Sequence, residues 1–183
     1  MEMLEAVRGR RSIRKYKSTP VSDEDVNAVL EAARWAPSWA NTQCARFIVV
    51  RDPETKAKLA EAMVPPTPAV PAIGEAPVVI VACAELGKSG YKKGSPVTNK
   101  GDTWFMFDVA LAMQNLALAA HSRGMGTVHV GIFDAPKVEE ILGIPEGVAV
   151  VEMTPLGYPD EEPKAPPRKE LSELVFYETY DQK

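Results

Sequence analysis

"GDTWFMFDVALAMQNLALAAHSRGMG", residues 101–126, carries the longest helical pattern in the chain. It predicts a helix of about 20 residues that is apolar on nearly every face, with Gly124 and Gly126 marking its end. A helix with so little polar surface belongs inside a fold, so we read it as a central, buried spine. Downstream, "TVHVGIF" (127–133) reads as a strand, "APKVEEILGI" (135–144) as a helix and "VAVVEMTPLG" (148–157) as a strand. Upstream, "RFIVV" (46–50) and "PVVIVACA" (77–84) are short β-branched runs suited to buried strands, and Asp52-Pro53 opens a helix between them. Earlier still, "SDEDVNAVLEAARWAP" (22–37) offers Ser22 as N-cap, Val26, Val29, Leu30 and Ala33 on one face, and Pro37 as the stop. "MEMLEAVRG" (1–9) is a short amphipathic helix that stops at Gly9.

Helices and strands mixed in this way around one spine predict an α+β domain spanning residues 1–183, with no repeat and no second domain. Residues 64–77 hold five prolines and residues 85–103 are rich in Gly, Ser and Lys, so both read as surface loops, the second a candidate lid. The tail starts as a proline-rich extended arm and ends with Leu171, Leu174, Val175, Phe176, Tyr177 and Tyr180. That is too much apolar surface to leave in water, so the tail must pack on something.

Composition narrows the function classes. With 25 Asp+Glu against 21 Lys+Arg the chain is mildly acidic, yet "GRRSIRKYKS" (9–18) concentrates Arg10, Arg11, Arg14, Lys15 and Lys17. A local cluster on an acidic protein suits a small anion better than a long nucleic acid. Cys44 and Cys83 form no C-x-x-C pair or zinc-ligand spacing, so no metal site is expected and a reducing, cytoplasmic setting is the simplest reading. The most apolar stretch is too short to span a bilayer, and no membrane partner is expected.

Arg10, Ser12 and Arg14 alternate, so an extended backbone points all three to one side and Arg11, Ile13 and Lys15 to the other. Guanidinium forks with a hydroxyl suit a phosphate, although taken alone the pattern is better explained as a solvated basic turn. A second stretch, "APSWANTQCARFIVV" (36–50), places Ser38, Asn41, Thr42 and Gln43 between a helix end and a strand start. Side-chain amides there can address the carbonyl edge of a flat ligand; the plain alternative is an ordinary helix-to-strand turn.

Taken together and in order, "RRSIRKY", "PVSDEDVNAVLEAARWAPSWANTQCARFIVVRDPE", "FDVALAMQNLALAAHSRGMGTVHVGIF" and "PLGYPDEEPKAPPRKELSELV" resemble the flavin-dependent nitroreductase family over nearly the whole chain. The resemblance implies a mixed, largely antiparallel sheet flanked by helices, in an intertwined homodimer with FMN at two interfacial sites. It places the arm, about 165–183, across the partner subunit. It implies that Arg10, Arg11, Ser12 and Arg14 address the phosphate, ribityl chain and flavin edge, with Arg14 nearest the pyrimidine. Pro37, Ser38, Trp39, Asn41 and Gln43 would serve the partner's pocket, Val130 and Gly131 would pass the N5 side of the ring, and Arg168 with Lys169 would close on the phosphate. The family often has Pro and Trp after the Gln, where this chain has Cys44 and Ala45, and here a Trp stands early, at Trp39.

The implied activity is hydride transfer from NADH or NADPH to FMN and on to nitroaromatics, quinones or similar electron-poor acceptors by a ping-pong mechanism. No catalytic side chain is expected, because the flavin carries the chemistry. Two alternatives stay open: a specialised member of the superfamily (a dehalogenase, an oxidase or a flavin-destroying enzyme), and a non-enzymatic nucleic-acid-binding module built on the arginines. Lys100, Asp102 and Trp104 are candidate substrate contacts without assigned roles. His121 reads as a helix C-terminal cap favoured when charged, and His129 as a strand residue.

Overall fold

The computed structural model describes residues 2–180. Its centre is a four-stranded antiparallel sheet in the order β1-β2-β6-β5: β1 is Ala45–Val50, β2 Val78–Glu85, β5 Gly126–Thr127 and β6 Val148–Gly157. The α+β class and the largely antiparallel sheet are as expected.

β2 is buried on both faces, which its unbroken β-branched run anticipates. Val78, Ile80, Ala82 and Ala84 enter one core layer with α2 (Asp23–Arg34) and α5 (Trp104–Ser122). Val79, Val81 and Cys83 enter the other, with α3 (Pro53–Glu61), α4 (Val70–Glu75) and α6 (Ala135–Leu142). Across from it, Cys83 pairs with Val150 and Ala82 with Glu152, so Val151 is an extra residue that bulges β6.

Local signals set the helix ends. Ser22 Oγ accepts from Asp25 N–H, Asp52 from Thr55 N–H and Asp134 from Lys137 N–H, while Gly143 ends α6 at φ 63°. Three expectations change. The proline-rich segment 64–77 is not all loop: it contains α4, with Pro71 in its first turn and Ala72 and Ile73 buried, because a proline costs nothing where the N–H lacks an intrahelical partner. Residues 85–103 contain a small hairpin, β3 (Tyr91–Lys92) with β4 (Ser95–Pro96). "TVHVGIF" is extended, but its ladder with β6 stops at Thr127, after which Val130 bridges Met153 and Phe133 bridges Met63.

α5 is the spine of one layer, buried along Val109, Ala112, Met113, Leu116, Ala117 and Ala120, and so is not covered all round. Met106 and Phe107 are exposed near its start. So are Met3, Leu4 and Val7 of α1 (Met3–Gly9), and Leu171, Leu174, Val175, Tyr177 and Tyr180 of the tail, whose only helix is the four-residue α7, Leu171–Leu174. No helix among the described residues is long and apolar enough to cross a membrane.

Candidate functional site

After α1 the chain runs extended beside β5. Ile13 N–H donates to Thr127 O (2.9 Å) and its side chain is buried. The approach is so close that a Cβ on Gly126 would fall 2.5 Å from Ile13 Cγ1. Burying Ile13 turns Arg10, Ser12 and Arg14 away from the core, as the alternation requires.

The segment after β6 holds the other edge. Glu161 accepts from the N–H groups of Arg14 (2.5 Å) and Lys15 (3.2 Å), Lys17 N–H donates to Tyr158 O and Asp160 N–H donates to Lys15 O. Half-buried Tyr16, its phenol pushed far above the ordinary range by desolvation and then by Glu161, donates to Ile13 O.

Positive charge then converges. Burial first, and the nearby charges of Arg11 and Arg168 next, lower the Arg10 pKa, and Arg10 Nη1 is buried with no hydrogen-bond partner among the described residues. A buried guanidinium nitrogen of this kind has the chemistry to donate to an oxyanion. Beside it lies a cavity of about 420 Å³ lined by Gly9, Arg10, Arg11, His121, Thr127 and Glu161 among others. The hydroxyl of Thr127 is likewise buried and unpartnered.

Arg11 is partly committed elsewhere, since its Nη1 donates to the carbonyls of Arg8 (2.7 Å) and Arg10 (2.9 Å), capping the end of α1. His121 faces this cavity too; burial, then Arg10 and Arg11, push its pKa down. It is therefore not the charged helix cap that its position on α5 suggested.

Pro37, Ser38 and Gln43 line a different cavity, of about 610 Å³, together with Arg46, Phe47 and Asp108, and no residue lines both. Trp39 and Asn41 belong to the same turn, in which Ala40, Asn41 and Gln43 adopt φ of 45°, 56° and 49°. Ser38 Oγ accepts from Gln43 N–H at 2.9 Å and closes the turn. Within one chain, then, Arg10 feels the charge of Arg168, and Arg10 and Arg11 do not share a cavity with the 37–43 loop.

Val130 corrects one detail of the expected pocket. Its N–H donates to Met153 O at 3.0 Å and is not available to a ligand. Gly131 is exposed, with open space where a Cβ would project. Lys169, like Arg168, is exposed. His129 lies outside β5 and pairs with Glu152 at 2.8 Å. Tyr91 OH donates to Asp102 at 2.5 Å, which ties the hairpin to the start of α5.

A sequence model of the Nitroreductase family matches residues 7–71 and 64–158. The chain belongs to the nitroreductase family. An Archaeoglobus fulgidus relative, provisionally named as an NADH dehydrogenase/NAD(P)H nitroreductase, is 37% identical over 170 residues, covering 88% of this chain and 87% of its own. A nitroreductase family protein from Clostridium novyi NT superposes with a TM-score of 0.79 at 31% identity, over 100% of this chain and 96% of that one. The NADPH:FMN oxidoreductase of Vibrio harveyi, solved with NAD+, superposes with a TM-score of 0.83 at 28% identity, over 98% of this chain and 78% of that one. The part matched by the nitroreductase model ends at 158, so Arg168 and Lys169 lie beyond it.

Two site residues escaped the sequence reading. Asp108, 3% exposed, is the only charged residue between Trp104 and Ala120 of the spine, a signal that a lone acid in an apolar helix provides. Glu161 gave no such sign, because its partners are backbone groups at the other end of the chain.

Proposed function

We propose that this NAD(P)H-dependent oxidoreductase uses FMN to reduce nitroaromatics, quinones or similar electron-poor acceptors, with donor and acceptor alternating at one site. The observation that carries the proposal is a cavity lined by Arg10 and Arg11, in which a buried Arg10 nitrogen has no partner among the described residues and feels the charge of Arg168. Such a donor set fits a phosphomonoester, which brings a charge of about −1.5 to −2 at neutral pH.

In this reading Arg10, Ser12, Arg168 and Lys169 hold the phosphate, and Arg11 contributes field while it caps α1. Arg14, its backbone clamped by Glu161, reaches toward the pyrimidine edge. The open space at Gly131 leaves room for a flat ring, and backbone at this point approaches without a side chain in the way. When bound, the flavin supplies the redox chemistry, accepting hydride from the nicotinamide and passing reducing equivalents to the acceptor. The side chains orient it, neutralise its phosphate and exclude water.

The chain acts as one domain, 1–183, and works as a homodimer. The arm from about 165 and the exposed apolar faces of α1 and α5 are the surfaces a second copy would cover. Pro37, Ser38, Trp39, Asn41 and Gln43 then serve the pocket of that second copy, which accounts for their separation from the arginines in a single chain.

The test compares FMN with riboflavin. Arg168→Ala should weaken FMN binding about tenfold, the loss of one charge-assisted hydrogen bond, and leave riboflavin unchanged. Equal losses for both ligands would remove Arg168 from the phosphate. A purified protein that is colourless and takes up no added FMN would overturn the flavin reading as a whole.

A further inference from the structure

We propose that Asp108 is a positioning residue: from inside the spine helix it holds the 38–43 loop in its left-handed conformation and links that loop to the hairpin segment 85–103. The inference rests on the flavin reading only where it concerns what the loop touches. Asp108 is 3% exposed and forms no ion pair among the described residues. A buried carboxylate without a cation persists only when hydrogen bonds satisfy it. Here three donors do so, two from the 38–44 segment and one from the segment before the hairpin. Trp39 N–H lies 3.1 Å from both oxygens, Ser89 Oγ lies 2.7 Å from Oδ2, and Cys44 Sγ lies 3.6 Å from Oδ2.

Each donor has a consequence. Trp39 opens the turn in which Ala40, Asn41 and Gln43 all take positive φ, a conformation that costs free energy for residues with a Cβ and survives only where the surroundings over-determine it. Inside the turn the bonds are local: Asn41 N–H to Ser38 O, Thr42 N–H to Trp39 O and Gln43 N–H to Ser38 Oγ. The Trp39–Asp108 contact is the one that ties the turn's first amide to the rigid interior.

Ser89 is itself 3% exposed and brings the root of the β3–β4 hairpin to the same carboxylate. Cys44 is the residue that stands where the resemblance led one to look for proline. Its thiol, pushed up to about 11 by burial and by the neighbouring carboxylate, stays protonated at neutral pH and serves as a third donor. Asp108 also lines the cavity shared by Pro37, Ser38 and Gln43, so its carboxylate sets one wall of the region assigned to the flavin of a second copy.

Asp108→Asn keeps the volume but sets amide hydrogens against donor groups. Amide exchange of the 38–44 segment in the flavin-free protein reads the positioning directly, and it should speed up at least about tenfold. In the loaded protein, the dissociation constant for FMN should rise about tenfold and the visible circular dichroism of the bound flavin should change. A merely structural residue would lower the melting temperature and leave that spectrum as it was. Unchanged exchange in 38–44 overturns the positioning role. Faster exchange with unchanged FMN affinity and dichroism overturns the link to the site, and a wild-type protein that binds no FMN defeats the flavin reading but not the exchange result.

Ser89→Ala keeps the carboxylate and decides the second link, even if Asp108→Asn does not fold. It should accelerate exchange in both 38–44 and 86–92 and raise the KM for 1,4-benzoquinone with little change in kcat. Acceleration confined to 86–92 would show that the two segments are not coupled through Asp108.

Discussion

The cavity beside Arg10 and the cavity beside Ser38 are assembled in opposite ways. The first sets the N-terminal Arg10 and Arg11 against the segment after β6, within the electrostatic reach of Arg168, and one Arg10 nitrogen there has no partner among the described residues. The second lies between α2, β1 and a tight turn held by a neutral hydroxyl and a buried carboxylate whose partners are already in place. Its charged groups Glu31, Arg34 and Arg46 are already paired or bonded within the fold. A charged cavity is completed by its ligand, whereas a pre-bonded one is complete beforehand and selects by shape. Substitutions in the first should therefore discriminate ligands by charge, and substitutions in the second should not.

The largest effect is expected at Arg10. Arg10→Ala should cost FMN binding about 1.5–3 kcal/mol while riboflavin binding hardly moves, measured by titration of flavin fluorescence. Equal losses for the two ligands would erase the distinction between the cavities.

Gly126→Ala sharpens the geometric side. The new Cβ meets Ile13, which is buried and cannot retreat, so overpacking should lower folding stability by about 1–3 kcal/mol in urea denaturation. Because Ile13 lies between Ser12 and Arg14, FMN affinity should fall with it. Stability lost without any loss of FMN affinity would mean that the arginine segment is not held by this contact.

Ser38→Ala should be milder, about 0.5–1.5 kcal/mol for one neutral hydrogen bond, and should weaken FMN and riboflavin alike. A loss confined to FMN would place the loop near the phosphate and merge the two cavities.

The smallest effect concerns pH. Burial and the neighbouring Arg10 and Arg11 hold the His121 pKa below its ordinary 6.5. The unfolded chain then takes up a proton at His121 before the folded one does, so His121 favours folding above pH 6.5 and that contribution is lost as pH falls through 6.5 toward the folded value. His121→Gln should flatten the melting temperature against pH in this window, and FMN or inorganic phosphate should flatten it in the wild type by supplying negative charge. A slope unaltered by both would disconnect His121 from the arginine cavity.

These contrasts also explain what the sequence could tell. Ser22 and Asp52 are legible because a cap bonds to residues three or four away. β2 is legible because burial on both faces leaves an unbroken apolar run. α4 was hidden by its own prolines, which signal loops unless one happens to sit in a first helical turn.

The site divides the same way. Arg10, Ser12 and Arg14 share a side by simple alternation, so their grouping could be read, and the meeting with Arg168 came only through resemblance. The bonds from Glu161 to Arg14 and from Asp108 to Trp39 join residues far apart in the chain, and no local pattern encodes them. The bond of the Val130 N–H to Met153 O is likewise made across the sheet and has no local signature.

The extra residue in β6 gives that strand a frameshift. Val148 and Val150 serve the layer of α3, α4 and α6, yet Met153, which an unbroken alternation would send to the other side, serves the same layer. Val151 absorbs the change of phase by standing opposite no residue of β2. Anyone who lays a single two-residue rhythm over 148–157 will assign half of the strand to the wrong side. The strand can in principle lose Val151 and keep every remaining partner in step, whereas losing a residue from 154–157 would leave the bulge in place and put the residues beyond the cut out of frame.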